Sequence, residues 1–372
     1  MTDTILCIDI GTTSLKAALL SDTRKVEAYA RIQLDGKAET WVGAVKKALD
    51  SMKAQNENAA IEAICVSGNG PTIVGEDSTT LLWKEKVPSQ AIQQDAKEET
   101  KSLFIPRFKA FKRLFPESWA SSSKIFSGPE YLLFKLTGNA ITILPEERFT
   151  PAYWTEAELL KCGFQNEEIS KFPPFKKMGS FVGQITEQAA LQTGLLQGTL
   201  VFAGAPDFVV ALLGTGTIYP GTVCDRAGSS EGINLCTSKP IFAQGIRTLP
   251  SAIPGLWNAS ILIEESGTRR FKNGEKDLAG EKSLLKEFSE AVKKLKEAAQ
   301  SNGEYFPAEI AMTGGQCMDD EWVKEKAQAA EVDIKVPYCQ DAELIGDLIL
   351  ARVGLGDYDD FEEACFVLCG NR

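Results

Sequence analysis

Two apolar strand pairs, each folded around a glycine that two hydroxyl residues follow, constrain the fold of this chain more than any other feature. The first pair occupies residues 5–20 and turns at Gly11-Thr12-Thr13, and the second occupies residues 223–236 and turns at Gly228-Ser229-Ser230. Short apolar runs around a glycine-containing turn predict buried β-hairpins. Because one hairpin lies in each half of the chain, the sequence indicates a weak internal repeat.

Helical and strand patterns alternate around these hairpins. Trp41 to Ala54 carries apolar residues at helical spacing, Ile61 to Ser67 is a short apolar run typical of a buried strand, and residues 310–353 alternate in the same way. This alternation predicts an α/β layer fold. Between about 93 and 175 the chain becomes rich in aromatic residues, lysine and proline, which predicts an inserted helical subdomain.

The composition excludes several classes of function. The 372 residues, enough for about two domains, include no histidine, so histidine-based nucleophile systems and histidine-ligated zinc are excluded and proton transfer falls mainly to carboxylates. The formal charge of −11, from 40 Lys plus Arg against 51 Asp plus Glu, argues against a nucleic-acid partner. Small anionic ligands held by backbone N–H groups stay compatible with this charge.

The two glycine turns have the residue types that bind phosphate. Glycine lets the backbone approach a ligand, successive N–H groups form an anion-binding concavity, and the hydroxyl groups add hydrogen bonds. Asp9 lies two residues before Gly11, where a carboxylate could hold Mg²⁺ beside the phosphates. A simple tight hairpin explains either turn taken alone, but the occurrence of both in corresponding positions favours phosphate binding.

Four motifs occur in the order found in one known family, the FGGY carbohydrate kinases. They are Asp9-Ile10-Gly11-Thr12-Thr13 with Lys16, Ala203-Gly204-Ala205-Pro206-Asp207, Gly228-Ser229-Ser230 and Met312-Thr313-Gly314-Gly315. The chain resembles the xylulokinase or gluconokinase type of that family, which belongs to the actin-like ATPase superfamily. Ordered agreement across nearly the whole chain carries the resemblance, because no single motif decides it.

The resemblance implies an α/β fold of two actin-like (ribonuclease H-like) lobes, with mixed sheets flanked by helices and a cleft between the lobes. We expect residues 1–222 to form the first lobe, with the helical insertion, and residues 223–372 to form a shortened second lobe. ATP and Mg²⁺ are the expected cofactors. The implied nucleotide-binding residues are Gly11, Thr12, Thr13, Lys16, Gly228, Ser229, Ser230, Gly314 and Gly315, and Asp9 is the implied metal ligand.

Asp207 is the implied catalytic base. A carboxylate that takes the proton of a sugar hydroxyl as it attacks phosphorus helps typically by about 10² to 10⁴-fold. Without the resemblance, its position after Gly204-Ala205-Pro206 and before an apolar helical run would favour a helix N-cap instead.

The expected sugar site departs from the family. Gly68-Asn69-Gly70-Pro71 stands where xylulokinases usually carry Gln-Met-His-Gly, and Trp83-Lys84-Glu85 is the nearest match to their Trp-Asn-Asp-x-Arg segment. We therefore take Asn69, Trp83 and Glu85 as candidate substrate residues, against the alternative of ordinary turn polarity and a core tryptophan. The usual substrate cannot be assumed, since missing polar partners weaken a pocket built for hydroxyl groups.

The sequence thus predicts ATP-dependent phosphorylation of a hydroxyl on a ketose, sugar acid or polyol. Two alternatives stay open: a nucleotide-binding sensor that has lost turnover, and an actin-like phosphotransferase with a non-sugar acceptor. The N-terminus lacks the basic region of a signal peptide and no apolar run approaches a membrane span, so a cytoplasmic protein without a membrane partner is expected. A homodimer is common among similar enzymes.

Overall fold

The chain is divided into two units, and the computed structural model describes residues 3–87 and 100–370. The described parts of Met1–Asp22, Val26–Asp207 and Leu350–Asp357 form the first unit, and those of Thr23–Lys25, Phe208–Ile349 and Tyr358–Arg372 form the second. Residues 93–99 of the predicted helical insertion lie outside the described residues. The lobe boundaries expected from the sequence stay a prediction.

The strands of the described residues are β1 (Asp3–Ile10), β2 (Ser14–Ser21), β3 (Lys25–Gln33), β4 (Ala60–Gly68), β5 (Ile73–Gly75), β6 (Thr80–Leu81), β7 (Ile125–Ser127), β8 (Thr142–Leu144), β9 (Phe175–Lys177), β10 (Phe181–Gln184), β11 (Leu200–Pro206), β12 (Val223–Ala227), β13 (Glu231–Thr237), β14 (Arg247–Pro250), β15 (Trp257–Ile263), β16 (Phe271–Lys272), β17 (Glu275–Lys276), β18 (Glu309–Thr313) and β19 (Asp333–Lys335).

The α-helices of the same residues are α1 (Trp41–Lys53), α2 (Ile105–Leu114), α3 (Pro116–Ser121), α4 (Gly128–Thr137), α5 (Glu156–Lys161), α6 (Asn166–Ile169), α7 (Glu187–Thr193), α8 (Asp207–Gly214), α9 (Ser266–Arg269), α10 (Leu278–Ser301), α11 (Asp320–Ala330), α12 (Ala342–Leu355) and α13 (Phe361–Leu368). Among the described residues, no helix combines the length and the apolar composition that crossing a membrane requires.

The first unit is built on a six-stranded sheet with the order β10-β11-β4-β1-β2-β3. Strands β1, β4 and β11 run parallel, whereas β2 is antiparallel to β1 and β10 is antiparallel to β11. Strand β1 is central, and Ile5, Leu6, Cys7 and Ile8 are fully buried. This burial on both faces explains why the strand is a continuous apolar run rather than an alternating one.

Close backbone contact holds β11 against β4. A Cβ atom at Gly204 would lie only 2.3 Å from the carbonyl oxygen of Val66, so a side chain at this position cannot be accommodated without moving a strand. Glycine at 204 therefore keeps the carboxyl ends of β4 and β11 next to each other.

The second unit is built on another six-stranded sheet, with the order β14-β15-β13-β12-β18-β19. Strands β12, β18 and β19 run parallel, and β12 pairs antiparallel with β13. The order β2-β1-β4-β11 in the first sheet thus has the same connectivity as β13-β12-β18-β19 in the second. Both predicted hairpins and the mixed sheets of the predicted fold class are confirmed.

Helix α10 covers one side of the second sheet core. Leu284, Phe288, Val292 and Leu295 recur at helical spacing and are buried, while its lysine and glutamate residues are mostly exposed or partly exposed. This spacing explains why a segment dominated by lysine and glutamate still forms a stable helix, because its apolar face packs on the sheet. Helix α1, predicted over Trp41 to Ala54, is formed in the same way in the first unit.

Candidate functional site

Three residues predicted to be functional follow the ends of neighbouring parallel strands in the first sheet. Ile10 of β1 and Pro206 of β11 both pair with Gly68 of β4. Gly11, Asn69 and Asp207 are the next residues after these three strand ends. In open α/β sheets ligands bind outside the carboxyl ends of the strands, so this edge is the candidate site of the first unit.

The first glycine corner, Gly11 to Ser14, presents backbone donors. The N–H of Gly11 donates to the carbonyl of Ser14 at 2.9 Å, and a Cβ atom at Gly11 would lie 2.9 Å from that same oxygen. Within residues 3–87 and 100–370, the N–H groups of Thr12 and Thr13 have no hydrogen-bond acceptor. Two adjacent N–H groups in a turn without protein acceptors form the kind of concavity that binds an anion.

The hydroxyl group of Thr12 joins three of the predicted residues. It accepts hydrogen bonds from Asn69 Nδ2 at 3.0 Å and from the indole Nε1 of Trp83 at 2.8 Å. Asn69 Oδ1 in turn accepts from the Thr72 hydroxyl at 2.9 Å, which fixes the orientation of the amide. The structure therefore brings the candidate phosphate corner and two candidate substrate residues into one hydrogen-bonded group.

Asp9 and Lys16 face each other across β1 and β2. They are directly paired in the strand register, and Lys16 Nζ lies 3.5 Å from Asp9 Oδ2. The Asp9 side chain is buried at the end of a central strand. No group of three or more His, Cys, Asp or Glu side chains that could hold a metal occurs in the described part of the chain. A single carboxylate still fits Mg²⁺, which keeps several waters and takes its other ligands from phosphates.

Asp207 and Glu85 have different surroundings. Asp207 is half-buried and is the first residue of α8, directly after β11. Glu85 is exposed, and its carbonyl accepts a hydrogen bond from Arg107 Nη1 at 3.3 Å. Among the described residues no hydrogen bond links Glu85 to the Thr12 group. The structure thus joins Asn69 and Trp83 to the corner but leaves Glu85 outside that hydrogen-bonded group.

The second glycine corner, Gly228 to Ser230, is one residue shorter than the first. The N–H of Gly228 donates to the carbonyl of Ser230 at 3.1 Å, and the carbonyl of Ser229 accepts from the N–H of Gly267 at 3.0 Å. In the described ranges the N–H groups of Ser229 and Ser230 have no acceptor. Both serine residues are exposed, so this corner offers the same kind of donor pair as the first.

Gly314 packs against the second corner. Its φ is 96°, and a Cβ atom there would lie 2.6 Å from the carbonyl oxygen of Ala227 and 3.3 Å from the nitrogen of Gly228. Both the conformation and the close approach require glycine. Gly315, the next residue, is exposed with open space around its Cα. The two predicted nucleotide motifs of the second unit therefore lie together.

Sequence reasoning missed Gln316. Its Nε2 donates to the carbonyl of Gly228 at 2.9 Å and to the Ser266 hydroxyl at 2.9 Å, while its Oε1 accepts from the Trp322 indole. Gln316 therefore connects the segment after β18 to the second corner by a hydrogen bond. Its place directly after Gly314-Gly315 was the available signal.

A buried ion cluster, also missed from the sequence, flanks the second corner. Lys326 Nζ contacts the carboxylates of Asp225 and Glu231, the latter at 2.8 Å, and all three side chains are buried. Burial raises the pKa of Asp225 to about 7, and the nearby Glu231 carboxylate adds to the rise. Burial alone would lower the pKa of Lys326, but the two carboxylates raise it above its usual value. The cluster ties both strands of the hairpin to α11.

Solved structures of other proteins share this fold. A xyloylose kinase from Brucella ovis aligns with a TM-score of 0.75 at 18% identity, with 97% of this chain and 92% of that chain covered. A glycerol kinase from Plasmodium falciparum, crystallised with ADP, gives a TM-score of 0.75 at 12% identity, with 100% and 93% covered. The chain has the fold of the carbohydrate kinases.

Sequence comparison agrees with the carbohydrate-kinase fold. An autoinducer-2 kinase from Klebsiella pneumoniae is 23% identical over 300 residues, which are 68% of this chain and 55% of that protein. The chain spans about half the length of this relative and of a matching xylulose kinase. No protein-family model matches the chain. The resemblance expected from the ordered motifs is confirmed at the level of the fold.

Proposed function

We propose that this chain is an ATP-dependent kinase that phosphorylates a hydroxyl group of a small carbohydrate, either a ketose, a sugar acid or a polyol. One observation carries the proposal: each unit of a carbohydrate-kinase fold ends its hairpin in a glycine corner whose two following N–H groups have no acceptor among the described residues. A polyphosphate ligand needs hydrogen-bond donors for its oxygens. The backbone N–H groups at these two corners can supply them.

Both glycine corners would face the β- and γ-phosphates of ATP. The first would use Gly11, Thr12 and Thr13 with the ammonium group of Lys16, and the second Gly228, Ser229 and Ser230. Gly314 and Gly315 would lie against the adenosine. Such donors stabilise the charge that develops on the phosphoryl oxygens and hold the reacting atoms in line. Because these donors belong to tightly hydrogen-bonded corners, they need little rearrangement when the nucleotide binds.

Asp9 would hold Mg²⁺, directly or through water. The ion, when bound, would neutralise part of the negative charge on the β- and γ-phosphates. The buried carboxylate at the end of β1 and the ammonium of Lys16 at 3.5 Å support a site for a metal-phosphate group. In this arrangement Lys16 balances the carboxylate charge before the nucleotide arrives.

Asp207 would be the general base that accepts the proton of the attacking hydroxyl. Its position at the end of β11, the neighbour of β4, supports this role, because Asn69 follows the end of β4. Asn69 and Trp83 would contact the sugar, and the Trp83 indole, which is 46% exposed, offers a flat apolar face for a sugar ring. Glu85 is the weaker candidate, since no hydrogen bond in the described residues ties it to the Thr12 group.

The two lobes, residues 1–222 and 223–372, belong to the same proposal, as do a cytoplasmic location and a homodimer. A supply of ATP and of small sugars fits action in the cytoplasm. These three statements stay predictions.

The test is ADP release measured with a panel of ketoses, aldoses, sugar acids and polyols. We expect at least one compound to stimulate release, and Asp207→Asn to reduce that stimulated rate by about 10² to 10⁴-fold while ATP binding, measured by calorimetry, is retained. Asp333→Asn, an exposed change on β19, is the matched control and should leave the rate unchanged. If no compound stimulated release although ATP bound, the protein would be a nucleotide sensor instead.

A further inference from the structure

Most buried and half-buried arginine residues of the described chain have oxygen partners. Arg270 bonds to Glu281 at 2.8 Å and to Asp319 at 2.7 Å, and Arg352 contacts three carboxylates. Arg148 pairs with Glu146 at 2.9 Å. Burying a cation away from water is costly unless an anion or several hydrogen bonds compensate. An arginine without such compensation among the described residues therefore points to a partner outside them.

Arg226 is such a residue. It is half-buried, its Nε is sealed from solvent, and this atom has no hydrogen-bond partner in residues 3–87 and 100–370. No carboxylate of those residues lies within ion-pair distance of its guanidinium. The guanidinium carbon lies 5.9 Å from the centroid of the Phe208 ring. A cation resting on an aromatic face keeps its N–H groups available for an anion.

The strand register puts a second arginine on the same face of this sheet. Arg226 of β12 pairs with Gly232 of β13, and Arg247 of β14 pairs with Ser260 of β15, which itself pairs with Asn234 of β13. Directly paired residues share a face, and so do residues two apart in one strand, so both arginine side chains leave the sheet on one side.

Gly232 leaves room between them. A Cβ atom at Gly232 would lie 3.4 Å from Arg226 Nη2, so the guanidinium extends over this glycine toward β15 and β14. Loss of surrounding water lowers the pKa of Arg247, and the like charge of Arg226 lowers it further. Arg247 is exposed, its pKa responds to the charge of Arg226, and neither arginine has a carboxylate partner among the described residues.

We infer that Arg226 and Arg247 form a binding site for an oxyanion, a phosphoryl or carboxylate group, over Gly232 on the second sheet. A bound oxyanion would relieve the repulsion between the two cations, and the planar fork of each guanidinium suits the paired oxygens of such a group. The site begins two residues before the second glycine corner. Its ligand must therefore be small, or must extend to it from that corner.

Under the proposed function the oxyanion has two sources. It is either the terminal phosphate of ATP held at the second corner or an anionic substituent of the acceptor, such as the carboxylate of a sugar acid. The choice between these sources rests on the proposed function, whereas the anion site itself does not. The experiment therefore has one arm for the site and another for the source.

The first arm uses inorganic phosphate as the probe and NMR of the arginine Nε–Hε groups as the readout. The Arg226 signal is identified by its loss in Arg226→Gln. We expect it to shift as phosphate is added, with about tenfold weaker affinity in Arg247→Gln and no change of affinity in Arg269→Gln, a partly exposed arginine paired with Glu287 in the same unit. An Arg226 signal that does not respond to phosphate, or responds equally in Arg247→Gln, overturns the inference.

The second arm compares ATP, ADP, a sugar acid and a neutral polyol by calorimetry and by the same NMR signal. If the nucleotide is the source, Arg226→Gln weakens ATP binding about tenfold, Arg226→Lys weakens it less, and ADP binding is unchanged. If the acceptor is the source, both nucleotides bind equally to all variants and only the sugar acid shifts the Arg226 signal. A wild-type chain that binds phosphate but no ATP contradicts the proposed function and leaves the anion site standing.

Discussion

The two glycine corners end hairpins of the same strand order, but different interactions hold them. At the first corner the Thr12 hydroxyl receives hydrogen bonds from two side chains, Asn69 and Trp83. At the second corner the Ser230 hydroxyl receives a bond from a backbone N–H, that of Glu265, and the carbonyls of Gly228 and Ser229 receive bonds from Gln316 and Gly267. Both corners also share a feature. Each receives a hydrogen bond from a side-chain amide that follows the parallel strand next to the hairpin, Asn69 after β4 and Gln316 after β18.

The charges beside the corners are opposite. Two residues before the glycine stands Asp9 in the first unit and Arg226 in the second. The two halves of the repeat therefore share the strand order and the backbone N–H groups, and they differ in the charge of the residue two positions before the glycine. Under the proposed function, backbone N–H groups supply the anion binding at both corners. The charged side chain beside each corner would then select a further ligand, a cation at Asp9 and an oxyanion at Arg226.

Buried charges flank the second corner, and we expect the loss of their cation to lower the free energy of unfolding more than any other change proposed here. Lys326→Met leaves Asp225 and Glu231 buried without their cation, and we expect a loss of about 3 to 5 kcal/mol in the free energy of unfolding, measured with urea. Lys324→Met, an exposed change on the same helix, is the control and should cost almost nothing. A combined neutral variant with Asp225→Asn and Glu231→Gln should recover part of the loss. Equal stability of Lys326→Met and the wild type would show that the cluster does not hold the second corner.

A smaller effect tests the hydroxyl groups. Thr12→Val removes the acceptor of two donors, and we expect a loss of about 1 to 2 kcal/mol, because the exposed Trp83 indole regains a water partner while the buried Asn69 amide does not. Thr12→Ser keeps the hydroxyl and should retain most of the stability. Ser230→Ala at the second corner removes one exposed acceptor of the Glu265 N–H and should cost less than Thr12→Val in the same urea titrations. The reverse order would contradict the difference drawn between the corners.

A third test uses a pH dependence of stability that differs between the units. Burial raises the pKa of Glu130 in the first unit from its ordinary value near 4.5 to about 6. The folded chain then holds this proton more tightly than the unfolded chain, so its contribution to stability is complete below pH 4.5 and is lost as the pH rises through 6. The loss is about 2 kcal/mol.

Glu130→Gln should remove this part of the pH dependence and make the protein more stable than the wild type at pH 7.5, with little difference at pH 4. The amide can still accept the hydrogen bond of the Ile143 N–H, which now goes to Glu130 Oε1 at 3.0 Å. Glu57→Gln, an exposed change in the same unit, is the control. In Glu130→Gln the free energy of unfolding should still fall between pH 6 and 7, because burial raises the pKa of Asp225 to about 7. If the pH dependence of stability between pH 4.5 and 6 were unchanged in Glu130→Gln, it would have to come from other titrating groups.

Local patterns predicted the elements that carry the site. Alternation of short apolar runs around Gly11 and Gly228 was enough for both hairpins, and the apolar strand before Asp207 put that residue at a strand end. The order of the motifs gave the fold. Contacts between distant segments were not accessible in the same way: Trp83 meets Thr12 across 71 positions, and Lys326 meets Asp225 across 101. Lys326 stands four residues after Trp322, and nothing in that local pattern distinguishes a buried lysine from a solvent-exposed one.

The close contact at Gly204 also restricts how this chain can vary. Even a methyl group there would push β11 away from β4, and the two segments that follow these strands carry Asn69 and Asp207. Under the proposed function, position 204 should tolerate no other amino acid in a saturation mutagenesis library selected for kinase activity, although the atoms of Gly204 would take no part in the reaction. Tolerance maps of such proteins will therefore mark scaffold glycines as strongly as the residues that do the chemistry.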